Sequence, residues 1–148
     1  MDAKTRWLHA YVEKCLRAGS QDAPVTVDGD GDFFYRWGTA ACWVRVETHP
    51  RMVKVFAHAA TGVKKSVKLL TEINELNARA RTARTFWADG YLVVTQSILA
   101  DGVTPRSLGQ ACASVGSVAE DIGTLAAAFF DGATPFPADA ATAEAGEP

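Results

Sequence analysis

Asp28, Asp30 and Asp32 alternate through a glycine-containing loop, the arrangement in this sequence that most invites chemistry. Alternating carboxylates in a tight turn are how a calcium loop gathers oxygen ligands. The match stops there, because the sixth position of such a loop needs Gly and is Phe33, and the twelfth needs Glu and is Thr39. His9, His49 and His58 have no spacing that would gather a metal with Cys15, Cys42 and Cys112. No glycine-rich phosphate loop precedes a Lys-Ser or Lys-Thr pair, and no Ser or Cys stands in a recognised nucleophile setting. The sequence therefore assigns no catalytic residue, no metal ligand and no cofactor.

The residues that remain as candidates are suited to binding. From Ala41 to Glu47 and again from Met52 to Ala59 the chain alternates in the two-residue period of a strand. Val44, Val46, Val53, Val55 and Ala57 fall on one face, under the first and last helices. Trp43, Arg45, Phe56 and His58 fall on the other, and Trp87 is expected to join them. Aromatic bodies with polar tips suit a protein interface, where Trp, Tyr and Arg contribute most of the energy. The alternative is that the second helix simply covers this face. Asn74 and Asn77 interrupt that helix, although asparagine is a poor helix former. They either bond neighbouring loop backbone and fix the helix to the sheet, or hold a bound peptide or a twin helix across a dimer.

Three helices and five strands must position these residues. Trp7, Leu8, Tyr11, Val12, Cys15 and Leu16 recur at helical spacing and predict a first helix from Lys4 to Arg17. Strands follow at Phe33 to Trp37, Ala41 to Glu47 and Met52 to Ala59, with a short extra one at Val25; their short links favour an antiparallel meander. A second helix is expected from Lys64 to Arg81. Strands at Arg84 to Ala88 and Tyr91 to Leu99 are joined by Asp89-Gly90, a strong hairpin signal. Thr104 and Pro105 open a long last helix that Asp131-Gly132 stops. Gly109, Gly116 and Gly123 run along it every seven residues, which lets another backbone approach or a kink form. The expected fold is α+β, in the order α-β-β-β-α-β-β-α, one antiparallel sheet with helices packed on it. Residues 1–132 form the domain, and the Ala/Pro-rich acidic stretch 133–148 reads as a disordered tail.

Composition is consistent with one globular domain of 148 residues, 48% hydrophobic and 22% charged. A net charge of −2 gives no overall pull toward nucleic acid or an anionic membrane. Lys64, Lys65, Lys68, Arg79, Arg81 and Arg84 make the middle of the chain basic; a solvated helix face is the default, and an acidic peptide or the acidic tail the other option. The three widely spaced cysteines suit no disulfide framework and, with the absence of an apolar leader, point to the cytoplasm.

Four local signatures, in this order, resemble the YbjN-like family, related in fold to the type III secretion chaperones. They are the hairpin 25–32, the pair Val44-Arg45-Val46 and Val53-Lys54-Val55 around Pro50, the run 69–77 with its two asparagines, and the last helix closing with Phe129-Phe130-Asp131-Gly132. The resemblance spans Lys4 to Phe136. It implies a non-enzymatic peptide- or protein-binding, chaperone-like role with a polypeptide partner, often as a homodimer, and brings no catalytic residues. A regulatory domain for a small ligand is the alternative, and an unrecognised enzyme the third reading. Binding would use strand addition at a sheet edge or an apolar groove beside the second helix.

Overall fold

The computed structural model describes residues 1–20 and 24–138. The elements are α1 (Ala3–Gly19), β1 (Thr26–Val27), β2 (Phe33–Trp37), β3 (Ala40–Glu47), β4 (Met52–Ala60), α2 (Val67–Arg79), β5 (Arg84–Ala88), β6 (Tyr91–Leu99) and α3 (Pro105–Phe129). The expected α+β order stands, with the short segment before the first turn realised as β1. All strands join one antiparallel sheet in the order β1-β2-β3-β4-β6-β5.

Each helix starts where a side chain can take up an orphan backbone N–H. Asp2 accepts from the N–H of Thr5, Ser66 from that of Leu69, and Thr104 from that of Ser107, whose hydroxyl accepts the Thr104 N–H in return. Pro105 in the first turn of α3 gives up a donor that had no helical partner. The Asp89-Gly90 hairpin forms as expected, with both residues at positive φ, 49° and 87°.

All three helices lie on the same side of the sheet. Leu8 and Val12 of α1, Leu69 and Ile73 of α2, and Leu108, Val115 and Ile122 of α3 share one core with Val44, Val55, Ala57, Leu92 and Val94. α3 has 25 residues, a length of about 37 Å, and crosses β2, β3, β4 and β6. Small residues let it lie close. A Cβ at Gly123 would strike the Ala59 carbonyl, and one at Gly116 would strike the Trp37 ring, whereas a Cβ at Gly109 would meet nothing within 4 Å. Of the three heptad glycines, Gly123 thus serves approach to strand backbone, Gly116 makes room for the Trp37 ring, and Gly109 does neither.

Past α3 the chain turns back. Ala133 pairs with Thr61 at the end of β4, and the N–H of Phe136 reaches the Thr39 carbonyl. The first six residues of the expected tail, 133–138, are therefore held against the domain, and the rest lies outside the described residues.

These glycine environments make opposite predictions for one substitution. Gly109→Ala should raise stability by about 0.5–1 kcal/mol, since it adds helix propensity in open space. Gly123→Ala should lower it by about 1–3 kcal/mol, because the obstacle is main chain that cannot swing away. Chemical denaturation of the two variants measures both.

Candidate functional site

Strand register decides which side chains share the uncovered face. Trp43 stands opposite Phe34 on β2 and Phe56 on β4, and His58 stands opposite Val93 on β6. Their rings form a connected strip across the sheet. Phe34 meets Trp43 edge-on at 5.7 Å, Trp43 stacks on Phe56 at 5.4 Å, and His58 lies 4.8 Å from Trp43 and 4.7 Å from Tyr91. The strip crosses four strands, and three inter-strand spacings make it about 14–15 Å long. Among the described residues no helix covers it, because α2 packs beside β5 on the opposite side. The aromatics are half-buried by one another, and Tyr91 and Phe86 are exposed.

Cations frame the strip. The Arg45 guanidinium lies 4.8 Å and the Lys54 ammonium 5.3 Å from the Phe56 ring centre, within the range of cation–π attraction. Arg45 is also tied down. Its Nε donates to both carboxylate oxygens of the buried Asp32 and its Nη2 to one of them at 2.7 Å. This pair accounts for one of the three loop aspartates. Asp28 is occupied differently, its carboxylate accepting the backbone N–H groups of Asp30 and Asp32. Desolvation against its ring neighbours pushes His58 below the ordinary histidine range, so the strip favours a neutral imidazole.

The structure brings together Trp43, Arg45, Phe56 and His58 and separates Trp87, Asn74 and Asn77 from them. Trp87 belongs to the helix-covered face: it sits opposite Leu92, and its indole N–H donates to the Val63 carbonyl at 2.8 Å. Phe86 takes the outward position instead, opposite Val93. Two adjacent aromatics in β5 make the parity unreadable until its pairing with β6 is known. Sequence reasoning also left out Phe34, Tyr91 and Phe136. For Phe34 the signal was available in principle, since the hairpin turn at Gly38 fixes which of Phe33 and Phe34 faces Trp43.

Asn77 has a structural task. Its amide accepts the N–H of Thr85 and donates to the C=O of Thr85, both at 2.9 Å. β5 is an edge strand, and Thr85 would otherwise present an unpaired N–H and C=O to any passing strand. The asparagine side chain imitates the missing strand and closes that edge. Asn74, one turn earlier, is exposed on the outside of α2.

A second hollow, about 380 Å³, lies between α1, β2 and the start of α3, with Leu16, Phe33, Tyr35, Trp37, Leu108 and Cys112 in its wall. The Tyr35 hydroxyl donates to the Cys112 carbonyl at 2.9 Å, and burial pushes the Cys112 thiol up to about 11. Thiols that stay protonated at neutral pH are poor nucleophiles and ligands.

The family model of the T3SS (YopN, CesT) and YbjN peptide-binding chaperones, TY-Chap1, matches residues 6–138. The chain belongs to this family. It is thereby a member of a non-enzymatic, peptide-binding class, as the sequence resemblance implied. Solved structures share this fold at low sequence identity. A chain of the HopA1–SchA chaperone–effector complex superposes with a TM-score of 0.66 at 11% identity, covering 82% of this chain and 96% of that one. A chain of the ExsC–ExsE complex gives 0.63 at 16%, covering 84% and 96%. YbjN from E. coli gives 0.52 at 17%, covering 76% and 91%. A search of curated proteins by sequence finds no match. Among the described residues no helix is long and apolar enough to cross a membrane.

Removing the Asn77 amide leaves two edge groups without their partner. Asn77→Ala should cost about 1–2 kcal/mol of stability and speed amide exchange at Thr85, while Asn74→Ala changes neither. Hydrogen exchange and denaturation on the two variants decide this.

Proposed function

We propose that this chain is a peptide-binding, chaperone-like adaptor of the cytoplasm that holds an extended apolar segment of a partner polypeptide on its open sheet face. One observation carries the reading: the ring strip Phe34–Trp43–Phe56–His58–Tyr91 is connected, framed by cations and left uncovered by any helix. Large exposed aromatic patches are uncommon on proteins that bind nothing. The face suits an extended chain, whose alternate side chains would fall between the rings while its backbone stays at the rim. Trp43, Arg45, Phe56 and His58 are the contact residues in this reading, with Phe34 and Tyr91 added. Asn77 and Trp87 support the fold around them, and Asn74 is left without an assigned part.

Strand addition at β5 is disfavoured, since Asn77 already occupies the edge at Thr85. Nucleic acid is a poor fit, because the guanidinium of Arg45 is committed to Asp32 and the whole chain is weakly acidic. The hollow beside Tyr35 would offer a small ligand mostly apolar walls, with the Tyr35 hydroxyl already bonded to Cys112.

We also propose a homodimer through the groove between α2 and α3. Leu76, Val118, Ile122 and Leu125 line it, and Leu125 and Phe129 follow one another along the outer side of α3, 40% and 69% exposed. Apolar surface repeated at i and i+4 is what a symmetric helix contact buries.

Peptides selected from a displayed random library should bind the natural chain, and Trp43→Ser or Phe56→Ser should weaken them at least tenfold with folding retained. Selected peptides indifferent to both substitutions would rule out the face. For the dimer, light scattering should show twice the chain mass, and Leu125→Glu should return it to a monomer. A natural chain that stays monomeric at high concentration rules the dimer out.

A further inference from the structure

The segment after α3 rounds the strand ends and lands on the open face. Gly132 packs against Val63, and Ala133 exchanges two backbone hydrogen bonds of 2.9 Å with Thr61. Three residues on, the Phe136 N–H donates to the Thr39 carbonyl at 3.1 Å. The Phe136 ring lies 6.3 Å from Phe34, the first ring of the strip, with the Arg36 guanidinium 4.6 Å from its centre. Arg36 also donates to the Pro137 carbonyl at 3.0 Å, and the Thr134 hydroxyl to the Phe136 carbonyl at 2.8 Å. One end of the strip is therefore filled by the chain's own Phe-Pro.

We infer that this end of the face is a subsite for an aromatic residue followed by proline in an extended segment, and that residues 133–138 are its built-in occupant, displaced by a partner of the same chemistry. The inference rests on the open face being the peptide site. The contacts are generic: a ring between Phe34 and a guanidinium, one N–H to the Thr39 carbonyl, one C=O to Arg36. Nothing in them requires the ring to belong to this chain. Proline suits the position after the ring because it brings no N–H that would need a partner and holds the preceding residue extended. The occupant is tethered a few residues from its anchor at Thr61, which gives it an effective concentration of order millimolar. A short peptide that reaches only this subsite loses to it. A longer segment that also covers Trp43, Phe56 and His58 gains enough additional contact to win. The device thus admits long extended partners and turns away short ones.

The test uses the full chain and a synthetic peptide of residues 131–138, titrated by NMR while the Trp43 indole is followed. Phe136→Ala should bind the peptide at least tenfold more tightly than the natural chain, and adding Arg36→Gln should remove most of that gain. Equal binding by the two chains overturns the inference, as does no binding by a Phe136→Ala chain with native circular dichroism. Should that variant fail to fold, Ala133→Pro, which deletes the N–H donated to Thr61, loosens the same segment and meets the same criteria. If library peptides bind through Trp43 and Phe56 while the 131–138 peptide gains nothing from either variant, only this inference falls. If Trp43 and Phe56 prove irrelevant to every peptide, the broader reading falls with it.

Discussion

Backbone approach between α3 and β4 is the contact on which the rest of the molecule depends. Gly123 lies against the Ala59 carbonyl, and Ala57, Ala59 and Ala60 give the strand a low surface there. A helix that close and that long covers β2, β3, β4 and β6 on the inner face of the sheet. α1 and α2 pack at its flanks on the same side, so none of the described helices lies on the other face. The free surface is a consequence of how tightly the inner one is closed.

A one-sided sheet must manage the rings it leaves in water. Here they are packed against each other, so that Trp43 touches Phe34, Phe56 and His58 and each ring loses part of its exposure to the next. Arg45 spans the two tasks of the region. Its charge is satisfied by Asp32, which holds the loop before β2, and its flat guanidinium still lies near Phe56. A planar, delocalised cation can do both where an ammonium could not. The surface is thus preorganised, and little side-chain freedom remains to be lost when a partner covers it.

The sheet edges are handled separately from the face. Asn77 blocks β5 with a side-chain amide, and the far edge is a strand of only two residues, Thr26–Val27. Both devices are among those that keep sheets from pairing with stray strands. With Thr85 occupied at one edge and a two-residue strand at the other, the aromatic strip rather than backbone pairing carries the proposed binding surface. Residues 133–138 show how such a segment can be held there, by one ring, one N–H and one carbonyl.

Local periodicity determined the element order, the starts of the first and last helices, the Asp89-Gly90 hairpin and the division of β3 and β4 into a valine face and an aromatic face, because each depends on residues adjacent in the chain; the second helix begins at Val67, behind its cap Ser66, and not at the expected Lys64. The capping residue Thr104 and the alternation from Trp43 to His58 were readable for that reason. Tertiary structure alone decided the remainder. Trp87 faces inward since β5 pairs with β6 in a register that two neighbouring aromatics cannot announce. Asn77 reaches Thr85 only once α2 has docked beside an edge strand that follows it in sequence. Phe136, composed into what reads as a tail, joins the strip because the chain rounds the strand ends. Whether the aromatic face is open or covered depends on which side α2 takes, and that is fixed by Leu69 and Ile73 joining the core shared by the sheet and the other helices, a long-range association that no local pattern encodes.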